Sequence, residues 1–413
     1  MGKEFYIKRV LPFLEKGAEA ALCTYLFFIP FSHVPTLKSF AIILFPSLII
    51  FKILIEKTKK FSAYNTPLTV PLFLFTAIAL VSAFSSIDPS YSLSYFRSNI
   101  LIYLILYFGI TILVHDISQI KRLIFVLMLS YFVIMFYGLF EYFILFGSTA
   151  KRFNATFGRY NTAGMYSVIF IPTVFSLFLW YKKLWHKVLL GICLSGSLLG
   201  VLFTQARAAW VCLFLVAILI GIILDKRILA FVFISLIIFP FILPQKLYKQ
   251  GISIFDFKNY LVPKERVLTE RPYVWKASIA MIKNRPILGF GTGTRIFGKL
   301  YNENGYRPKE AKEKLSQAHN QILQTLVENG VLGILCFLWI YGVIIKYAYK
   351  AIKTYETGFG KCLLTGIFSG IIGIFIFGTV DTFMRAQMGL AFWVFTGLFF
   401  AIIKTYTPCD KAG

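Results

Sequence analysis

The sequence predicts an all-α polytopic membrane protein with about twelve transmembrane helices and one large polar loop. Three observations carry this. Hydrophobic residues make up 58% of the 413 residues and the mean hydropathy is +0.74, far too apolar for a soluble globule. Apolar runs of roughly 17–25 residues, the length a helix needs to cross a hydrocarbon core of about 30 Å, recur from one end to the other. One long interval, 244–330, breaks that pattern, with 15 Lys/Arg against 6 Asp/Glu between Gln245 and Ala318.

Taken in order, the expected spans are 17–33, 38–55, 68–86, 98–114, 122–145, 162–180, 188–204, 208–224, 228–243, 331–348, 361–380 and 386–403. They form a single membrane domain, 1–413, with a loop subdomain, 244–330, inserted between spans nine and ten. The first apolar run lacks a small-residue cleavage pattern and is followed by many more, so it reads as an uncleaved span. The formal charge of +25 raises nucleic acid as a partner. Most of the basic residues flank apolar runs, however, where anchoring at the membrane edge accounts for them.

The basic residues also orient the chain. One set of connections carries Lys57, Lys59 and Lys60, then Lys121 and Arg122, Lys182, Lys183 and Lys187, Lys226 and Arg227, and Lys350 and Lys353. By the positive-inside rule this set and both termini are cytoplasmic. The 244–330 interval then lies outside. So does Lys151-Arg152-Phe-Asn-Ala-Thr-Phe-Gly-Arg159-Tyr-Asn-Thr, a second basic connection on the face that is expected to be charge-poor. Long loops translocate regardless of charge, but a site for anionic groups at the outer boundary explains both stretches. An Arg fork binds phosphate oxygens bidentately and keeps its proton. Glu141, Arg207, Asp381 and Arg385 fall at outer span ends as well, and charges at that depth tend to line polar cavities.

Within the long interval, 272–284 reads as an amphipathic helix with Trp275, Ile279 and Ile282 on one face and Pro272 in its first turn. A second helix is expected from Ser316 as N-cap to about Asn329, with His319 in its first turn and Gly330 marking a break. The glycines of Leu288-Gly-Phe-Gly-Thr-Gly-Thr-Arg295 do not make a dinucleotide site, because no strand–helix–strand unit surrounds them. A backbone nest or an ordinary tight turn remains. No CxxC, HExxH, GxSxG or paired-carboxylate signature is present, and His319 has no second ligand at metal spacing, so neither a metal nor a cofactor is expected.

His319-Asn320 followed nine residues later by Gly330-x-x-Gly333 resembles the loop motif of bacterial O-antigen ligases. Arg271…Trp275…Pro286-Ile-Leu-Gly-Phe-Gly and Phe157-Gly-Arg-Tyr-Asn161-Thr-Ala163 are similar to the wider ligase and polymerase superfamily. The resemblance implies a GT-C-like fold in the bacterial inner membrane with an active site facing the periplasm. It also implies metal-independent, inverting transfer of O-antigen from undecaprenyl diphosphate to lipid A–core. By the same resemblance the catalytic residues would be His319, Arg271 and Arg207, although the Leu that often stands four residues after the family's turn Arg is Val211 here. Arg152, Arg159, Asn320, Trp275 and Arg385 would bind the lipid diphosphate or glycan. The chemistry asks for such a set. A departing diphosphate needs cations where charge develops, and the acceptor hydroxyl needs a base. A repeat-unit polymerase, or from a different class a transporter, are the alternatives. Transporters often show internal hydropathy repeats and broken midplane helices, neither of which is clear in this sequence.

Overall fold

The computed structural model describes residues 2–31, 34–56, 65–145, 152–242, 270–356 and 358–406. Lys57, Lys59, Lys60, Lys151 and the 243–269 part of the long interval lie outside these residues. All regular structure among the described residues is helical. The elements are α1 (Gly2–Phe28), α2 (Pro35–Ile55), α3 (Thr69–Phe84), α4 (Pro89–Tyr95), α5 (Leu101–Leu113), α6 (Ile117–Phe140), α7 (Tyr160–Trp180) and α8 (Leu184–Thr204). They continue with α9 (Arg207–Ile223), α10 (Arg227–Ile242), α11 (Glu270–Asn284), α12 (Thr294–Asn302), α13 (Gln321–Thr354), α14 (Phe359–Gly378) and α15 (Ala386–Tyr406). A π-helical turn, Phe96–Ile100, joins α4 to α5, and another, Glu141–Leu145, ends α6.

Each of the twelve expected spans falls on a helix. Eight segments, among the described residues, are long and apolar enough to cross a membrane: α2, α4–α5 together, α6, α7, α8, α13, α14 and α15. The helices α3 and α9 are apolar but shorter. This is a multi-pass membrane protein. Its outward faces agree, since Leu184, Trp185, Val188, Leu189 and Ile192 of α8 are all exposed, as lipid contact requires. In lipid, helices associate mainly by close packing, which favours small residues at the seam.

The seam that matters most here is between α7 and α14. A Cβ on Gly366 would lie 2.7 Å from the Thr173 Cα, and one on Gly370 would lie 2.5 Å from the Ile169 carbonyl oxygen. The two backbones therefore touch. That contact brings the start of α7 beside the end of α14, and thus Asn161 beside Asp381, far apart in sequence. At the opposite end of the bundle the basic connections gather. Lys52 Nζ lies 2.6 Å from Glu15 and 3.2 Å from His115 Nε2, tying α2 to α1 and the α5–α6 turn. Arg122 pairs with Glu19 through both carboxylate oxygens, Lys121 lies over the Phe359 ring, and Lys404 donates to the Thr111 carbonyl. Asp116 and Gln119 start α6 with a reciprocal capping box.

The segment 270–330 has its own apolar cluster, built from Val274, Ala277 and Met281 of α11, Ile296, Phe297, Leu300 and Tyr301 of α12, and Val327 of α13. The buried face of α11 is Val274, Ala277, Ser278 and Met281, whereas Ile279 is 49% exposed. Of the expected Trp275–Ile279–Ile282 face, Trp275 and Ile282 pack against this cluster and Ile279 does not. Small residues let α11 approach α12 and α13, and Trp275 is held in addition by a hydrogen bond from its indole N–H.

Two other expectations of this region change. The N-cap of α13 is Asn320, not Ser316. The Asn320 Oδ1 accepts from the Leu323 amide at 3.0 Å while its Nδ2 donates to the Thr379 carbonyl at 2.9 Å; a serine hydroxyl could not reach in both directions with separate donor and acceptor atoms. The glycine-rich loop is not an open nest. The amides of Phe290 and Gly291 donate to the Val327 and Glu328 carbonyls, and the Gly293 amide donates to the Glu328 carboxylate, so the protein's own acceptors use them. The break at Gly330 is present, with φ of +64° inside α13. A Cβ there would collide with the Ile287 carbonyl, which locks the loop against the helix.

Candidate active site

His319 stands immediately before the Asn320 cap rather than in the first turn of α13, and its φ is +48°. That left-handed region is sparsely used by non-glycine residues, though His is among those enriched there. It persists when the surroundings over-determine it, and here both flanks are held. The Trp275 indole donates to the Ala318 carbonyl at 3.1 Å, the Ala318 amide donates to Gln324 Oε1 at 2.8 Å, and Asn320 is anchored to Thr379. Trp275 thus serves the site from behind.

The ring faces an acid. His319 Nδ1 is 3.2 Å from Asp381 Oδ1, and Asp381 has 6% exposure against 25% for the His319 side chain. Asp381 lies in the turn between α14 and α15. Its Oδ1 accepts from the Thr382 amide at 2.8 Å and its Oδ2 from Asn161 Nδ2 at 3.1 Å. Gln321 Oε1 accepts from the amides of Phe383 and Met384 and fixes the same turn. Burial pushes the Asp381 carboxyl up, but the His319 hydrogen bond and charge, the Thr382 amide and Arg385 outweigh it, so the group sits below the usual carboxylate range. An ionised carboxylate only accepts. In the neutral ring, the Nδ1 that faces this carboxylate is then the protonated nitrogen, which leaves the lone pair on Nε2.

His319 and Asp381 line a cavity of about 580 Å³. Its wall includes Arg159, Asn161 and Thr162 from the start of α7, Arg385 and Gln387 at the start of α15, Tyr95 and Asn99 from the α4–α5 junction, and Thr294 opening α12. The N-termini of α7, α12 and α15 all meet here, and helix N-termini favour anions. Arg385 is partly buried, and no carboxylate reaches ion-pair distance from it among the described residues. Burial lowers its affinity for the proton, Asp381 works against that, and Arg159 lowers it further. Arg385, half-buried, and Arg159, exposed, line one cavity and repel one another, which makes a place for a polyanion.

The sequence-expected residues divide accordingly. His319, Arg159 and Arg385 line the cavity. Arg152 stacks over the ring of Tyr160, a lining residue, with 4.4 Å to the centroid, and so stands at the rim. Asn320 is a cap and Trp275 a brace. Arg271 precedes Trp275 by one turn on α11, and Arg207 opens α9 after a left-handed Gln205; neither is among the lining residues. Asp381 and Gln317 stand within hydrogen-bond distance of the His319 ring, and motif reading does not pair them with it. Asp381 was visible only as one more charge at a span end.

No grouping of three or more His, Cys, Asp or Glu side chains able to hold a metal exists among the described residues. The molecule is thus a helical membrane protein with a His–Asp pair and two arginines in one cavity. Residues 192–338 match the family model described as O-Antigen ligase, and this supports the chain as a member of the O-antigen ligase superfamily. The match includes Arg207, Arg271 and His319 but ends before Asp381 and Arg385. Among curated proteins none matches the chain.

Proposed function

We propose that the protein is an inner-membrane glycosyltransferase of the O-antigen ligase type. It transfers O-antigen polysaccharide from undecaprenyl diphosphate to lipid A–core, without a metal and with inversion at the anomeric carbon. The observation that carries this is the combination in one cavity of half-buried His319, paired with buried Asp381, and of Arg159 and Arg385. In the proposed step the acceptor hydroxyl attacks the anomeric carbon from the face opposite the diphosphate. Its proton passes to His319 Nε2 as the new C–O bond forms. The bond to the diphosphate oxygen breaks, and the charge that appears there lies against the two guanidiniums. Asp381 holds the Nδ1 proton and steadies the imidazolium, the role an acid plays behind a catalytic His. The donor already contains the activated bond, so no nucleotide is needed.

Acceptor choice separates this reading from a repeat-unit polymerase. Purified protein given carrier-linked glycan should form product only when lipid A–core is added, and should do so in excess EDTA. Chain growth with carrier-linked units alone would make it a polymerase. Loss of turnover in EDTA, restored by a divalent ion, would place it in another class of glycosyltransferase.

The proposed fold has twelve crossings, a GT-C-like arrangement, both termini in the cytoplasm and the 244–330 segment in the periplasm. Support comes from the contacts that gather Lys52, Lys121, Arg122 and Lys404 at one end of the bundle while the cavity lies at the other. A reporter fused after Asn302 should read periplasmic and one after Lys353 cytoplasmic. A cytoplasmic signal at Asn302 would remove the site from the donor's side of the membrane.

A further inference from the structure

We propose that Gln317 is a positioning residue that holds the His319 ring in its proton-accepting form from above the ring face, an inference that rests on His319 as the base. Gln317 is 3% exposed. Its Oε1 accepts from the Thr382 hydroxyl at 2.8 Å, which leaves Nε2 turned toward Asp381 Oδ1 at 3.5 Å. That same nitrogen is 3.1 Å from His319 Nδ1 and 3.5 Å from His319 Nε2. The lone pairs of an imidazole lie in the ring plane and point outward in different directions, so an atom on the axis of one nitrogen is remote from the other. Near-equal distances to both place the amide nitrogen over the face. One N–H is then directed to the carboxylate and the other onto the π system, a weak contact, leaving both in-plane positions open: Nδ1 for Asp381 and Nε2 for the acceptor.

The consequence is electrostatic. The positive end of the amide dipole lies over the ring, and it opposes a proton on Nε2. The Asp381 carboxylate favours that proton, and Arg385 from the same turn, with Arg159 from the start of α7, opposes it. Tyr95 of α4 and Tyr160 of α7 complete the titratable groups around the cavity. The Asp381 carboxylate favours the charged ring, and Gln317 offsets this from the one direction that blocks neither nitrogen. The Thr382 hydroxyl is the anchor that keeps the amide from turning its oxygen toward the ring.

The test is the titration of the His319 ring, followed by NMR on detergent-solubilised full-length protein labelled at its 4 histidines, with His319→Ala identifying the signal. Gln317→Met keeps the size and removes the dipole. Proton uptake by the ring should move to higher pH by about half a unit, roughly threefold in the binding constant and about 0.7 kcal/mol at 1.36 kcal/mol per unit. Gln317→Glu should move it further the same way. In the transfer assay the acid limb of kcat should shift in the same direction while the donor KM is unchanged. An unmoved or lowered midpoint in both variants would overturn the proposal, as would a kcat reduced equally at every pH. If Gln317→Met fails to fold, Thr382→Val supplies the readout, with a smaller shift of the same sign; no shift there counts against it equally. A shifted ring in Gln317→Met together with normal transfer by His319→Gln would leave Gln317's hold standing and overturn the base.

Discussion

His319→Ala should lower the transfer rate by roughly 10²–10⁴-fold, the usual contribution of a positioned general base, with donor binding retained because the arginines remain. His319→Gln should be nearly as slow, since glutamine can hydrogen-bond but cannot take the acceptor's proton. Both are read as single-turnover rates beside donor affinity. The pH profile gives a second check. Asp381 is held below the usual carboxylate range, so its contribution is fully present above the ordinary Asp value of about 3.9 and is lost only as pH falls through its lower folded value. Asp381 therefore stays ionised throughout the neutral range. An acid limb seen there reports proton uptake by His319 and should be absent from the residual activity of His319→Ala. A His319→Gln enzyme with most of its rate would reduce His319 to a residue of the loop.

The second large effect is expected at Arg385. Removing one donor from a site that stabilises developing charge costs about 2.7–4 kcal/mol, or 10²–10³ in kcat. Arg385→Ala should fall in that range. Arg385→Lys should remain seriously impaired although the charge is kept, because the planar fork is lost. Arg271→Lys is the informative comparison. The resemblance ranks Arg271 as catalytic, while the structure puts it on α11 outside the lining residues. If diphosphate is clamped by Arg159 and Arg385, the Arg271 variant should be the milder of the two.

How much of this could be read beforehand differs between fold and site. The apolar helices were legible because a helix in lipid needs a long apolar run, and that depends on local sequence alone. The His319 motif was legible for a similar reason, with Gly330 fixed by its collision with Ile287. The Asp381 partnership was not. It depends on Gly366 and Gly370 letting α14 touch α7, a contact between helices nearly two hundred residues apart, and nothing near Asp381 announces it. The cap of α13 was misplaced because Ser316 and Asn320 are both good caps by type; the choice was made by Thr379, which only Asn320 reaches. On α11, Ile279 was misplaced for a related reason. Ala277 and Ser278 are buried there beside Val274 and Met281, and their small size makes them weak signals beside Ile279.

The central claim is that a lipid-linked diphosphate sits between Arg159 and Arg385 with its sugar facing His319. A structure of the full-length protein with an unreactive undecaprenyl diphosphate glycan analogue tests it most directly. The account predicts phosphate oxygens within hydrogen-bond distance of both guanidiniums and the anomeric carbon on the His319 side of the cavity. Diphosphate density held by Arg207 and Arg271 instead, with the Arg159–Arg385 cavity left to the acceptor, would contradict it.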